Sequence, residues 1–359
     1  MERSASRSST SRSPTAARLD GLTGVRFVAA AWVFAYHFFV LTVAGAPSWL
    51  RDVQASGHAA VSLFFVLSGF VLAYNYAAPL EAGRVSRARF WWARFARVVP
   101  LYALLIVVEI PLSLHAGLGG ARVAAATAAD LAGLQAWIPP IVFVGNTPGW
   151  SVSVELFFYV AFPWLAARLF QTPRRALAEL AAFVLAALAT AALPSLLPAQ
   201  SGWALFAKCG PLTRLPEFVV GIGLGRAFLR GQLRLSPRLA TLLAIVAVGL
   251  MAVVIGVQSQ LPRYFLHAVL LVPFALFLYA VAHGGVVGRA LGWRPLTILG
   301  EVSYGLYLLQ MPLFQAIGGK YEWSAMTLCG YFVLLVGCAT VLHFAVERPA
   351  QRWLLSARS

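Results

Sequence analysis

Six polar side chains interrupt long apolar runs of this sequence: His37, Glu109, Glu155, Arg214, Glu217 and Gln310. A polar or ionisable group inside hydrocarbon is costly, so each is a candidate functional residue. His37 is the side chain best suited to moving a proton near neutral pH. Glu155 could orient its ring and stabilise the imidazolium, as the third member of a triad does. Arg214 could stabilise a growing oxyanion or bind a substrate. Glu217 follows at i, i+3, the spacing of a helical ion pair. Ser68 and Ser151 add hydroxyl donors within the apolar runs. Glu109 stands two residues before Pro111 and reads as structural, at a helix interruption. The other histidines, His58, His115, His267, His283 and His343, fall near the ends of apolar runs and read as structural.

A second set is basic. Arg87, Arg89, Arg94 and Arg97 lie in a run that includes Trp91 and Trp92. Arg94 and Arg97 are at i, i+3 and share a helix face. Tryptophan at such a place suits a membrane interface. Arg26 precedes His37 by eleven residues. On a helix that spacing is about 1100°, three turns plus about 20°, so the two share a face about 16 Å apart. Such a face fits a long ligand with an anionic head at Arg26 and a reacting group at His37. Acyl-CoA has that shape.

These residues must be positioned by membrane helices. The chain has 359 residues, 60% hydrophobic and only 11% charged, with a mean hydropathy of +0.78. Soluble domains carry roughly 25% charged residues. The composition excludes a soluble enzyme, a disordered chain and a disulfide scaffold. Apolar runs long enough to span lie at 22–44, 57–77, 98–117, 150–170, 177–197, 209–229, 239–257, 264–283, 297–318 and 325–345. The expected fold is all-α, polytopic, with about ten transmembrane helices. With the N-terminus inside, twenty-one Lys and Arg fall on inner segments and five on outer ones. Both termini are therefore expected in the cytoplasm. The six polar residues then lie about 8–12 Å in from the outer ends of their spans. They read as one shared cavity in the outer half of the membrane.

Residues 1–18 read as a disordered Ser/Arg-rich tail rather than a signal peptide. Residues 19–347 form the membrane domain, and 348–359 a basic cytoplasmic tail. Segment 118–149 reads as an outer loop that dips back into the protein, because a further crossing would reverse every later loop. The net charge of +16 belongs to topology; no basic recognition module is present, so nucleic acid is not expected as a partner. Cys209, Cys329 and Cys338 form no CxxC, and the His and carboxylate spacing matches no metal motif. Only Lys208 and Lys320 are lysine, a bias that fits a GC-rich bacterium and a location in its plasma membrane. The sequence sets no oligomeric state.

Several motifs occur in a fixed order. The first is Arg18-Leu19-Asp20-Gly21-Leu22-Thr23-Gly24-Val25-Arg26, followed by His37. Phe64-Phe65-Val66-Leu67-Ser68-Gly69-Phe70 comes next, then Arg94-Phe95-Ala96-Arg97-Val98-Val99-Pro100-Leu101-Tyr102. Trp150-Ser151-Val152-Ser153-Val154-Glu155 opens a later span, and Arg214-Leu215-Pro216-Glu217-Phe218 with Gly221 follows. Ser303-Tyr304-Gly305-Leu306-Tyr307 and Glu347-Arg348-Pro349 complete the set. Together, from Arg18 to Trp353, they resemble the acyltransferase-3 family of integral membrane O-acyltransferases.

The resemblance implies ten transmembrane helices. It implies transfer of an acyl group, often acetyl, from cytoplasmic acyl-CoA to a hydroxyl of a carbohydrate or natural product. The stand-alone form expected here includes tailoring enzymes resembling macrolide O-acyltransferases. The resemblance makes His37 the catalytic histidine, as general base or transient acyl acceptor, with Arg26, Arg94 and Arg97 handling the donor. Glu155 would assist His37, and Arg214, Glu217, Ser68, Ser151 and Gln310 would serve the acceptor or oxyanion. Family members often carry His where this chain has Gln310. No bound cofactor or metal is implied; acyl-CoA is a co-substrate, and the bilayer and the acceptor are the other partners. The alternative is a proton-coupled transporter or exporter, since intramembrane His, Glu and Arg also mark such paths. Transporters often show internal repeats, and the His37 motif has no counterpart in the second half.

Overall fold

The computed structural model describes residues 14–38, 46–198, 201–262, 265–319 and 324–357. Among them the chain is helical, without a strand. Helix α1 is Pro14–Phe38 and α2 is Ser48–Glu81. Helix α3 is Arg87–His115, α4 is Gly120–Leu131 and α5 is Gly149–Arg168. Helix α6 is Pro173–Leu196, α7 is Gly202–Cys209 and α8 is Pro211–Leu229. Helix α9 is Pro237–Gly256, α10 is Leu266–Ala282 and α11 is Gly285–Leu291. Helix α12 is Arg294–Ala316, and α13 is Ala325–Ser356.

The starts follow local chemistry. Ser86 caps α3 by accepting from the Arg89 amide at 3.1 Å, and Ser236 caps α9 through the Leu239 amide at 3.3 Å. Proline opens α6, α8 and α9, where a missing N–H costs nothing. Pro100 and Pro111 lie inside α3, which nonetheless runs unbroken for 29 residues. The interruption expected beside Glu109 is absent. Neighbouring helices can satisfy the carbonyls that proline frees.

Among the described residues, six helices are long and apolar enough to cross a membrane: α2, α3, α5, α6, α9 and α13. The pair α10 and α11 passes the same test together but is bent by 84°. The bend falls at Gly284 and Gly285, with φ of +90° and +72°, a region that only glycine enters cheaply. Helices α1, α8 and α12 are long enough but less apolar, because they carry Arg26, Arg214, Glu217 and Glu301. They sit inside the bundle. Lipid demands apolarity only of the faces it touches, and exposed apolar faces lie on α3, α6, α9 and α13, with Val107, Leu185, Leu242 and Val333 among them.

The centre is the contact of α2 with α8. A Cβ on Gly69 would fall 2.0 Å from the Phe218 carbonyl oxygen, and one on Gly221 would fall 2.0 Å from that of Val66. Backbone meets backbone there, as small residues permit in membrane packing. Phe158 stacks on Phe218 with centroids 4.6 Å apart, tying α5 to the same core.

Segment 118–149 folds back. Helix α4 has 12 residues, about 18 Å, too short for a core of about 30 Å. After it, Gln135 Nε2 donates to the Val144 carbonyl at 3.3 Å and Asn146 Nδ2 to the Leu308 carbonyl at 3.0 Å. At the other end, residues 348–356 continue α13 as helix, and Trp92 Nε1 donates to the Leu354 carbonyl at 2.8 Å. Residues 1–13 of the expected tail lie outside the described residues.

Candidate active site

The polar residues are divided between chambers. The first, of about 130 Å³, is lined by Arg26 of α1, Arg94 and Arg97 of α3, Ser151, Glu155 and Tyr159 of α5, and Ser303, Tyr304 and Tyr307 of α12. Ser151, Glu155 and Tyr159 are four residues apart, one stripe of α5. Glu155 accepts from the Tyr159 hydroxyl at 2.5 Å and from Ser68 Oγ at 3.1 Å. Among the described residues His37 is not a partner of Glu155, so the expected triad-like pair does not form. The stripe turns Glu155 toward the arginines instead. With three guanidinium groups and one carboxylate on the wall, this arginine chamber suits an anion.

Each arginine of α3 is held from behind. Arg94 Nη2 donates to the Tyr76 hydroxyl at 3.1 Å, with the guanidinium 5.1 Å from the Tyr76 ring centre. Arg97 pairs with Glu347 of α13. Glu347 is almost fully buried and also meets His343 Nδ1 at 3.0 Å. The Glu347-Arg348-Pro349 motif thus supplies the counter-charge of Arg97, a link between positions 250 residues apart.

The second chamber is larger, about 270 Å³, and is lined by Tyr36, His37, His58, Phe143, Thr147, Trp150, Lys208, Arg214, His267 and Tyr307, among others. His37 Nδ1 lies 3.2 Å from Gln310 Oε1. Gln310 Nε2 donates to the Tyr307 carbonyl at 2.8 Å, and the side chain is wholly buried. An amide oxygen only accepts, so Nδ1 must carry the ring proton. That leaves Nε2 with a free lone pair, the state a general base needs. Arg214 donates to Ser62 Oγ at 2.8 Å and pairs with Glu217 at 3.1 Å. His267 Nε2 stands 4.0 Å from Glu217. Glu217 therefore backs the wall rather than forming it.

Val61 and Tyr307 line both chambers and form the partition. The Tyr307 hydroxyl is 2.9 Å from Ser151 Oγ and 3.3 Å from the Pro148 carbonyl. Helix α1 is continuous past this wall, with Arg26 on one chamber and His37 on the other.

Glu109 belongs to neither. It lines a small cavity between α3 and α4 with Asp130 and Gly145. Asp130 is buried, and burial first, then the Glu109 carboxylate, pushes its carboxyl up to about 7. The single shared cavity expected from depth does not form: Glu155 lines one chamber, His37 and Arg214 a second and Glu109 a third, while Glu217 and Gln310 pack behind the walls. Depth follows from the rise along a helix, but the direction a side chain faces is set by packing. His58 and His267, expected to be structural, and Lys208, expected as a loop charge, all line the histidine chamber. The i, i+4 stripe of α5 was visible in the sequence, whereas no local signal marks His58 or His267.

Comparison with known proteins identifies the family. Residues 19–344 match the family model of an acyltransferase domain. The chain is 33% identical to the acyltransferase MdmB of Streptomyces mycarofaciens, over 95% of this chain and 94% of that one. It is 23% identical to the O-acetyltransferase OatA of Staphylococcus aureus, over 93% of this chain but only 57% of that one. No solved structure matches. The family match covers both chambers and every helix that lines them, and the chain belongs to the acyltransferase-3 family of multi-pass membrane acyltransferases.

Proposed function

We propose that the protein transfers an acyl group from cytoplasmic acyl-CoA to a hydroxyl of a carbohydrate or natural product. The observation that carries this reading is the shared wall of Val61 and Tyr307 between an arginine-lined chamber and one that holds a histidine in its basic tautomer. Guanidinium groups match phosphate oxygens, so the arginine side takes the donor. The thioester reaches the partition, and the acceptor hydroxyl meets it from the histidine side. His37 Nε2 removes the hydroxyl proton as the oxygen attacks the thioester carbonyl. The C–S bond then breaks, and the thiolate recovers the proton from the imidazolium. Gln310 holds the ring throughout, the part assigned to Glu155 from sequence. Arg214, fixed by Glu217 and Ser62, shapes the acceptor side.

The six apolar helices and the bent pair, counted with α1, α8 and α12, support about ten crossings. An even number keeps both termini on the cytoplasmic side, where the arginine excess lies. The bacterial plasma membrane is the location that fits.

The test is mass spectrometry of metabolites and envelope glycans from cells carrying the wild-type protein or His37→Ala. A product lighter by one acyl group in the mutant identifies acceptor and acyl chain together. Identical profiles, with the mutant present in the membrane and every acceptor class sampled, would sink the reading. The transporter alternative requires no CoA, so CoA binding by purified protein separates it.

A further inference from the structure

The arginine chamber is too small for a whole CoA molecule. Its volume of about 130 Å³ falls well short of the roughly 300 Å³ at which sites for drug-sized ligands begin. It can admit the narrow pantetheine arm, but the nucleotide must rest elsewhere. A wide groove of about 810 Å³ lies beside it, lined by Tyr76, Ser86, Arg89, Trp92 and Leu355 with three small apolar residues. Tyr76 joins the two spaces, because its hydroxyl accepts from Arg94, which lines the arginine chamber. The groove wall holds one guanidinium, two aromatic rings and no carboxylate. Arg89 is exposed. Trp92 is fixed by its bond to the Leu354 carbonyl and by stacking on Phe95 at 5.2 Å.

We infer that this groove between α2, α3 and the end of α13 binds the phosphorylated adenosine diphosphate part of the acyl donor. Arg89 takes a phosphate and the Tyr76 and Trp92 rings border the purine. The pantetheine arm then passes the Tyr76–Arg94 pair into the chamber. The inference rests on the acyl-CoA reading above and adds the site that reading lacks. A guanidinium–phosphate contact at Arg89 supplies charge-assisted hydrogen bonds, while aromatic rings stack on any base. Phosphate on a lipid headgroup shares the first of these features but not the second.

The experiment uses full-length protein in nanodiscs and two donors, acetyl-CoA and S-acetylpantetheine, which lacks the nucleotide. The readout is the ratio of their kcat/KM values. In the wild type the ratio favours acetyl-CoA. In Arg89→Ala it should fall about tenfold or more, the equivalent of one charge-assisted contact, with Arg89→Lys retaining part of it. Inhibition by 3′,5′-adenosine diphosphate should weaken in parallel. An unchanged ratio in Arg89→Ala overturns the assignment while leaving the donor reading intact. Equal loss with both donors, or a loss that follows the anionic lipid content of the nanodisc, also overturns it and points to a lipid phosphate or a structural role. Failure of the purified wild type to bind CoA overturns the acyl-CoA reading and this inference together.

Discussion

His37 and Gln310 meet across α1 and α12, with Nδ1 3.2 Å from Oε1. Because the Gln310 amide nitrogen is committed to the Tyr307 carbonyl, the pair fixes which ring nitrogen is basic. Gln310 acts through His37 and is a positioning residue. His37→Ala should abolish transfer, and Gln310→Leu should lower kcat about tenfold to a hundredfold with little change in either KM, inside the range of acid–base contributions. Gln310→Glu, which can also accept from Nδ1, should recover much of the rate. A raised KM with unchanged kcat would show that Gln310 contacts substrate instead.

Arg97 and Glu347 form a pair in which the carboxylate is almost fully buried. Removing one member of such a pair leaves the other uncompensated. Arg97→Met alone or Glu347→Leu alone should therefore destabilise the protein by about 3 kcal/mol. The double variant Arg97→Met with Glu347→Leu should recover most of that stability but not donor binding. Thermal unfolding in detergent reads the first effect and the KM for acyl-CoA the second. Full additivity in this cycle would mean the two side chains do not interact.

Arg94→Ala combined with Arg97→Met and Glu347→Leu should chiefly weaken donor binding, since both guanidinium groups line the smaller chamber and no unpaired buried carboxylate is left. The expected result is a KM for acyl-CoA raised at least about tenfold with kcat less affected. An unchanged apparent affinity would reduce the two arginines to topology anchors.

Asp130 gives a pH dependence whose sign is fixed. Its carboxyl is raised from 3.8 to about 7 by burial, with Glu109 adding to the effect. Between those values the folded state keeps a proton that the unfolded state has released. Stability should therefore fall as pH rises through that window, by up to about 1.4 kcal/mol per pH unit. Asp130→Asn should flatten the profile of thermal stability against pH. A wild-type profile that rises across the same window would contradict the buried placement.

Gly221→Val should prevent α8 from approaching α2, because the added side chain would strike the Val66 carbonyl. Overpacking of a tight contact costs about 1–3 kcal/mol, and more where backbone is struck. Gel filtration of solubilised protein should show loss of the monodisperse peak. A normal peak with normal activity would place the helices further apart.

The sequence alone determined the class of protein, because a bilayer imposes long apolar helices and collects arginine on one side. Most expected spans reappear as helices, and α1 carries Arg26 and His37 as their eleven-residue spacing requires. Polar residues in apolar runs marked α1, α5, α8 and α12 as the helices that build the site. Their grouping was not legible there. Rise along an axis gives depth, but only the packing of α2 on α8 and of α1 on α12 decides which faces meet. That packing sends Glu155 to the arginines, brings Gln310 to His37, sets Glu109 beside Asp130, and carries Glu347 to Arg97 from the far end of the chain. Those contacts join residues of different helices, so no local pattern encodes them, and only the tertiary structure could assign them.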